Sequence, residues 1–175
     1  MEKRNWKHSV TLKQRMVLCL AAFFAAFALQ LALNGYQARA VQQVQDDQMS
    51  NFNAISRFQG GVESSISILE AYRWENGETE EMLEKLRSAC STSNAWLWRI
   101  RSNMDGLQNV SDEQWVLYGA VETTYGSYNT LLEELESYLS SGQEAKASQL
   151  YYNKVSVCGG YLSQYTMQLL KASIL

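Results

Sequence analysis

Residues 111–140 read SDEQWVLYGAVETTYGSYNTLLEELESYLS, and this stretch decides the fold class. Ser111 and Gln114 have the spacing of a capping box, which starts a helix by satisfying two backbone N–H groups. Apolar residues then recur at alternating intervals of three and four: Tyr118, Val121, Tyr125, Tyr128, Leu132, Leu135 and Leu139. This average period of 3.5 predicts a helix over 112–140 that packs one apolar stripe against other helices.

Three further segments carry a comparable pattern. Residues 79–105 repeat it through Leu83, Leu86, Cys90, Ser93, Leu97, Ile100 and Met104, and residues 143–175 through Tyr151, Val155, Cys158, Leu162, Tyr165, Leu169 and Ala172. A broader apolar face covers residues 36–74. The 175 residues include no proline, and short glycine-containing turns separate the segments. We therefore expect an all-α fold in which residues 35–175 form an up-down-up-down four-helix bundle.

A membrane helix is expected before this body. Met16 to Leu33 read MVLCLAAFFAAFALQLAL, eighteen residues without a charge. A helix of this length spans about 27 Å, close to the thickness of a bilayer's hydrocarbon core. We assign a transmembrane helix to 16–34. The alternative is a cleaved secretory signal, for which Ala38-Arg39-Ala40 offers a small-x-small site.

The charge distribution predicts the orientation. Residues 1–15 contain five basic residues and one acidic residue, a net charge of +4, while the rest of the chain has 10 basic and 17 acidic residues, a net charge of −7. The positive-inside rule then gives a cytoplasmic tail at 1–15 and an extracytoplasmic body, in the cell membrane. A body with a net charge of −7 argues against binding to nucleic acid.

No catalytic, cofactor-binding or metal-binding set is predicted. The single histidine, His8, lies in the basic tail, and the chain lacks a phosphate-binding loop, a GxGxxG motif and a CxxC motif. Cys90 and Cys158 fall on stripes of helices expected to be diagonal in the bundle. We expect them to be free thiols, although a disulfide is permissible outside the cell.

Two weaker features suggest functional positions. Trp96, Arg99 and Arg101 place guanidinium groups beside an indole in an acidic body, which could receive an anionic ligand such as a carboxylate; ordinary packing and pairing with glutamates is the alternative. The glycine pairs Gly60-Gly61 and Gly159-Gly160 lie at similar heights in the first and last helices. They predict a close approach of these two helices, against the alternative that the glycines are merely tolerated.

The arrangement resembles the N-terminal sensory region of bacterial two-component sensor histidine kinases and, secondarily, of methyl-accepting chemotaxis receptors. The resemblance rests on architecture: a basic tail at 1–15, an apolar helix at 16–33 and a helical body after it. It implies a signal-sensing input region that forms a homodimer and passes a helix shift, caused by a ligand or an extracytoplasmic protein, across the membrane. It also implies that the kinase would follow a second membrane helix beyond residue 175. The alternative is a membrane-anchored helical interaction protein without signalling output.

Overall fold

The computed structural model describes residues 12–72, 79–107 and 110–174. These residues are almost entirely helical, and none of them lies in a β-strand. The helices are α1 (Leu12–Ala71), α2 (Thr79–Gly106), α3 (Asp112–Ser140), α4 (Glu144–Leu150) and α5 (Ser156–Ala172), with a π-helical turn at Tyr151–Val155 joining the last two. We call α4, the π turn and α5 together the final helix. The all-α fold class is confirmed.

The helix ends follow the local sequence closely. Ser111 caps α3: its side chain accepts from the Gln114 N–H at 3.2 Å, and the Gln114 side chain accepts from the Ser111 N–H at 2.8 Å. The predicted capping box is therefore confirmed. Gly142 has a φ of 71°, a left-handed conformation that lets the chain turn after Ser140. The predicted end of the first body helix at residue 74, and the turn after it, lie outside the described residues.

The chain forms two compact units, Met1–Gln45 and Asp46–Leu175. In the first unit, the described residues belong to α1, and those from Gln14 onward are exposed. This part of α1 contains a stretch long and apolar enough to cross a membrane. A signal sequence near an N-terminus meets the same criterion of length and composition.

The second unit has one hydrophobic core to which every helix from Asp46 onward contributes. The largest fully buried side chains are Tyr128, Phe58, Ile55, Leu69, Ile100, Met104, Leu135, Leu162 and Leu169. The buried residues of α3 are the seven of its predicted stripe. In α2 the predicted stripe is also buried, except that Cys90 is half-buried, and Met82 joins it.

In the contacts between consecutive helices, the residue number rises along one helix as that of its partner falls along the next. Those between α1 and α2 pair Ser50 with Asn103, Arg57 with Trp96 and Gly61 with Ser93. Those between α2 and α3 pair Arg87 with Glu136, Cys90 with Tyr125 and Arg101 with Glu122. Those between α3 and the final helix pair Gln114 with Ala172 and Thr124 with Cys158.

The final helix differs from its sequence prediction. The uninterrupted α-helix expected at 143–175 contains the π turn, and the buried residues after that turn are Gly159, Leu162, Thr166 and Leu169. Cys158 and Tyr165, predicted to lie on the buried stripe, are half-buried. The prediction was wrong here because a π turn accommodates one extra residue and rotates the helix that follows it.

Polar groups in this core are few and mostly satisfied. The Ser65 and Tyr128 hydroxyls are hydrogen-bonded at 3.0 Å, and the Thr166 hydroxyl donates to the Leu162 carbonyl at 2.8 Å. Asn51 is the exception, because it is 4% exposed and its Oδ1 has no hydrogen-bond partner among the described residues. Burial raises the pKa of the Tyr125 phenol to about 12 and that of the Cys90 thiol to about 11.

These raised pKa values predict a loss of stability at alkaline pH. The folded state favours the neutral forms, so their contribution is complete below the ordinary pKa values of about 9 and 10, and is lost as the pH rises through the folded-state values. Each group should lower the free energy of unfolding by at most about 1.4 kcal/mol per pH unit in that window. Denaturant titrations between pH 8 and about pH 11.5 measure the slope.

Tyr125→Phe should make that slope shallower. At neutral pH the variant should cost about 1 kcal/mol, because the phenol donates to the Cys90 carbonyl at 2.8 Å. The exposed Tyr161 provides the matched control, and Tyr161→Phe should leave both stability and slope unchanged. An unaltered slope in Tyr125→Phe would contradict the attribution of part of the alkaline loss of stability to the raised pKa of Tyr125.

Candidate ligand groove

A groove of about 720 Å³ lies between α1 and α2 within the second unit. Eight residues line it: Asp46, Met49, Ser50 and Asn53 from α1, and Ala95, Trp96, Trp98 and Arg99 from α2. The walls are mainly apolar, with one carboxylate and one guanidinium contributed from opposite helices. A concave surface with an aromatic wall and a few polar groups is typical of a small-molecule site.

Trp96 is the more buried of the two tryptophans in this wall. Its side chain is half-buried, and the Arg57 guanidinium carbon lies 5.2 Å from the ring centroid, within the range of a cation–π interaction. The hydroxyl of Ser50, another residue that lines the groove, accepts from the Asn103 amide at 3.4 Å. By contrast, Trp98 is 70% exposed and offers most of its indole to solvent.

Arg99 is the groove's cationic group. It is exposed, and it forms no ion pair with any residue in the described ranges. Asp46, on α1, lines the same groove and gives it one negative charge. The charged side chains that line the groove therefore balance, which suits a ligand with a carboxylate and an apolar or aromatic body better than a polyanion.

Arg101 lies elsewhere. Its guanidinium is 3.4 Å from the Glu122 carboxylate on α3 and 3.9 Å from that of Asp105. The Tyr118 hydroxyl donates to the same Glu122 carboxylate at 3.0 Å. Burial, reinforced by Glu122, raises the pKa of Tyr118 to about 12. Trp96 and Arg99 are therefore brought to one groove, whereas Arg101 belongs to an ion-pair cluster facing α3.

Sequence reasoning missed all four residues that the first helix contributes to the groove: Asp46, Met49, Ser50 and Asn53. They lie on α1, and their position opposite Trp96 depends on how α1 and α2 are aligned. The antiparallel order was predicted, but no residue-level pairing was derived from it. A local signal exists only in Asn53 and Ser50, which are polar residues three apart on one helix face.

The two glycine pairs have different neighbours from those expected. A Cβ built on Gly61 meets Ser93 of α2, whose hydroxyl it would contact too closely. A Cβ on Gly159 lies 3.2 Å from the Ile66 side chain of α1 and 3.3 Å from the Tyr128 ring. Cβ atoms on Gly60 and Gly160 meet nothing within 4 Å among the described residues. Close packing thus occurs at one glycine of each pair, and neither faces the other pair.

The cysteines are free: Cys19 is exposed, and Cys90 and Cys158 are half-buried. The Cys158 thiol lies 3.7 Å from the Thr124 carbonyl, and burial raises its pKa. No group of three or more histidine, cysteine, aspartate or glutamate side chains in the described part of the chain could hold a metal ion.

In comparisons with known proteins, no protein-family model, no curated protein and no solved structure matches this chain.

Alanine at the two adjacent glycines of α1 should have opposite effects. Gly60→Ala should raise the free energy of unfolding by up to about 1 kcal/mol, because alanine favours a helix and the site is open. Gly61→Ala should lower it, because the new methyl group collides with the Ser93 hydroxyl. Chemical denaturation of the four variants, including Ser93→Ala and Gly61→Ala/Ser93→Ala, measures both effects.

The double variant supplies the control. Removing the Ser93 hydroxyl leaves its Cβ at 3.4 Å, an ordinary contact, so the double variant should recover the stability lost in Gly61→Ala. Additive effects of the two substitutions would show that the glycine is not needed for this contact.

Proposed function

We propose that this chain is the extracytoplasmic signal-sensing input region of a transmembrane receptor, of the sensor histidine kinase class. Three features support the proposal: an apolar helical stretch near the N-terminus, an all-α body with one core, and a groove between two of its helices. The order of contacts between neighbouring segments favours an up-down-up-down four-helix bundle as the architecture of that body.

In this proposal the apolar part of α1 anchors the protein in the cell membrane. The basic residues before it favour a cytoplasmic N-terminus, and the acidic body then lies outside. Signal output requires a kinase, which this proposal places in a part of the receptor beyond residue 175. A homodimer is part of the same proposal.

The groove is the observation that carries the sensory role. A ligand seated there contacts α1 through Met49 and Asn53 and α2 through Trp96 and Arg99. Such a ligand stabilises whichever relative position of the two helices gives the better fit, and can thereby shift the population of helix arrangements. Its chemistry would be a carboxylate for Arg99 joined to an apolar or aromatic body for Trp96.

A second function is favoured by another surface. Val157 and Tyr161 lie one turn apart on the final helix, and each is more than half exposed. Apolar side chains exposed together suit contact with a protein partner. A membrane-anchored interaction protein without signalling output would use this face and leave the groove empty. A chemotaxis receptor input region is a variant of the first proposal with a different output.

If carboxylates bind in the groove, their stabilising effect should require Arg99 but not Arg101. The full chain in detergent should show a rise in melting temperature with benzoate or phenylacetate, because a ligand that binds only the folded state stabilises it. Arg99→Ala should abolish the rise. Arg101→Ala, a matched change two residues away on the same helix, should retain it, since Arg101 faces Glu122. Equal losses in both variants, or no rise with any of these carboxylates, would contradict the assignment.

The topology has its own test. The chain expressed in bacterial cells with an N-terminal epitope should lose its body to protease added to intact spheroplasts, while the epitope fragment stays protected. Inverted membrane vesicles should give the reverse pattern, with the epitope removed and the body protected. Recovery of the body in the soluble periplasmic fraction would instead support a cleaved signal sequence, and a body protected in spheroplasts would overturn the orientation.

A further inference from the structure

The final helix contains a break in its hydrogen-bond pattern. At the π turn the Ser156 N–H donates to the Tyr151 carbonyl, five residues earlier, instead of four. Such a turn holds one residue more than an α-helical turn and rotates the helix after it by about 100° relative to a continuous α-helix. The turn therefore determines which side chains of α5 enter the core.

Two overlapping sets of α5 side chains could be buried in the core. The structure buries Gly159 and Thr166 together with Leu162 and Leu169. The continuous helical stripe instead contains Cys158 and Tyr165 with the same two leucines. The two faces share their leucines, which lie at the border between them, so a rotation of about 100° keeps both leucines at an edge of the core while it exchanges Gly159 and Thr166 for Cys158 and Tyr165. Cys158 and Tyr165 are already half-buried at the edge of the core.

Neither face is clearly superior by composition. The buried face contains a glycine, which adds no side-chain burial, and a threonine, whose hydroxyl must be satisfied by the Leu162 carbonyl. The other face would bury a thiol and an aromatic ring and would need no π turn. In favour of the observed face, the Tyr128 ring packs against Gly159, where a Cβ would lie only 3.3 Å from the ring. Packing favours the observed face, and side-chain burial favours the other.

We propose that the final helix is a two-state element, in which the observed packing with the π turn exchanges with a continuous α-helical packing that turns Cys158 and Tyr165 into the core. Formation of the second packing removes Gly159 from the Tyr128 ring and displaces that ring, whose hydroxyl bonds Ser65 of α1 at 3.0 Å. The exchange therefore couples the rotation of α5 to α1. It rests on packing alone and holds whether or not the groove binds a carboxylate.

Thiol labelling of Cys158 reports which packing is present. The full chain carries Cys19→Ser and Cys90→Ala, so that Cys158 is the single thiol, and is labelled with N-ethylmaleimide in lipid vesicles. Gly159→Ala places a methyl group 3.2 Å from Ile66 and disfavours the observed packing. Gly160→Ala is the matched control, because it makes the same change at the next residue in open space.

We expect Gly159→Ala to slow labelling of Cys158 by about fivefold or more relative to Gly160→Ala, because a thiol turned into the core reacts only after local opening. Thr166→Asn should slow it as well, since the larger polar side chain is excluded from the buried position, whereas Gln168→Asn on the exposed face should not. Equal rates in the variants and their controls would overturn the proposal. Unfolding of both test variants would also overturn it, because an available second packing accommodates either change.

Discussion

The packing of the body depends on the tyrosines of α3. Tyr128 is 1% exposed, and a phenol buried to this degree needs a hydrogen-bond partner and a space fitted to its ring. Ser65 of α1 supplies the partner, and Gly159 of α5 leaves the space. One turn earlier, Tyr125 stacks edge-on against Phe58 and donates to the Cys90 carbonyl of α2. Together these two side chains fix the height and rotation of three helices around α3.

This constraint explains why the groove opens where it does. Once α1 is held by Phe58 and Ser65, the part of α1 before Ala54 lies beside the second half of α2. There the large side chains Trp96 and Trp98 line the groove between the two helices. Arg99 and Arg101 are two residues apart, and side chains at that spacing leave a helix in different directions. One therefore borders the groove, and the other reaches the acidic side chains of α2 and α3.

Sequence reasoning was most accurate where a single helix determines the outcome. The stripe of α3 and its capping box depend on residues within one helix and its first turn, so both could be predicted. The π turn could not, because Tyr151–Val155 carries no local signal that distinguishes it from an α-helix. The face that α5 buries after this turn is packed against other helices, with Gly159 lying close to the Tyr128 ring of α3. For the same reason the sequence suggested Trp96 and Arg99 but not the four α1 residues opposite them, whose positions depend on contacts between helices.

Asn51 lowers the cost of separating the helices behind the groove. Asn51 lies between the groove residues Ser50 and Asn53 in sequence, but its side chain is buried on the opposite face of α1. Its Oδ1 has no hydrogen-bond partner among the described residues. A buried amide oxygen without a donor loses its hydration and gains nothing in return, so separation of the helices at this layer costs less than at the apolar layers above it. Amide hydrogens of α1 around residues 50–53 should consequently exchange with solvent sooner than those around Phe58 and Val62. The core behind the groove thus contains an unsatisfied polar group, unlike the apolar core around Phe58 and Val62.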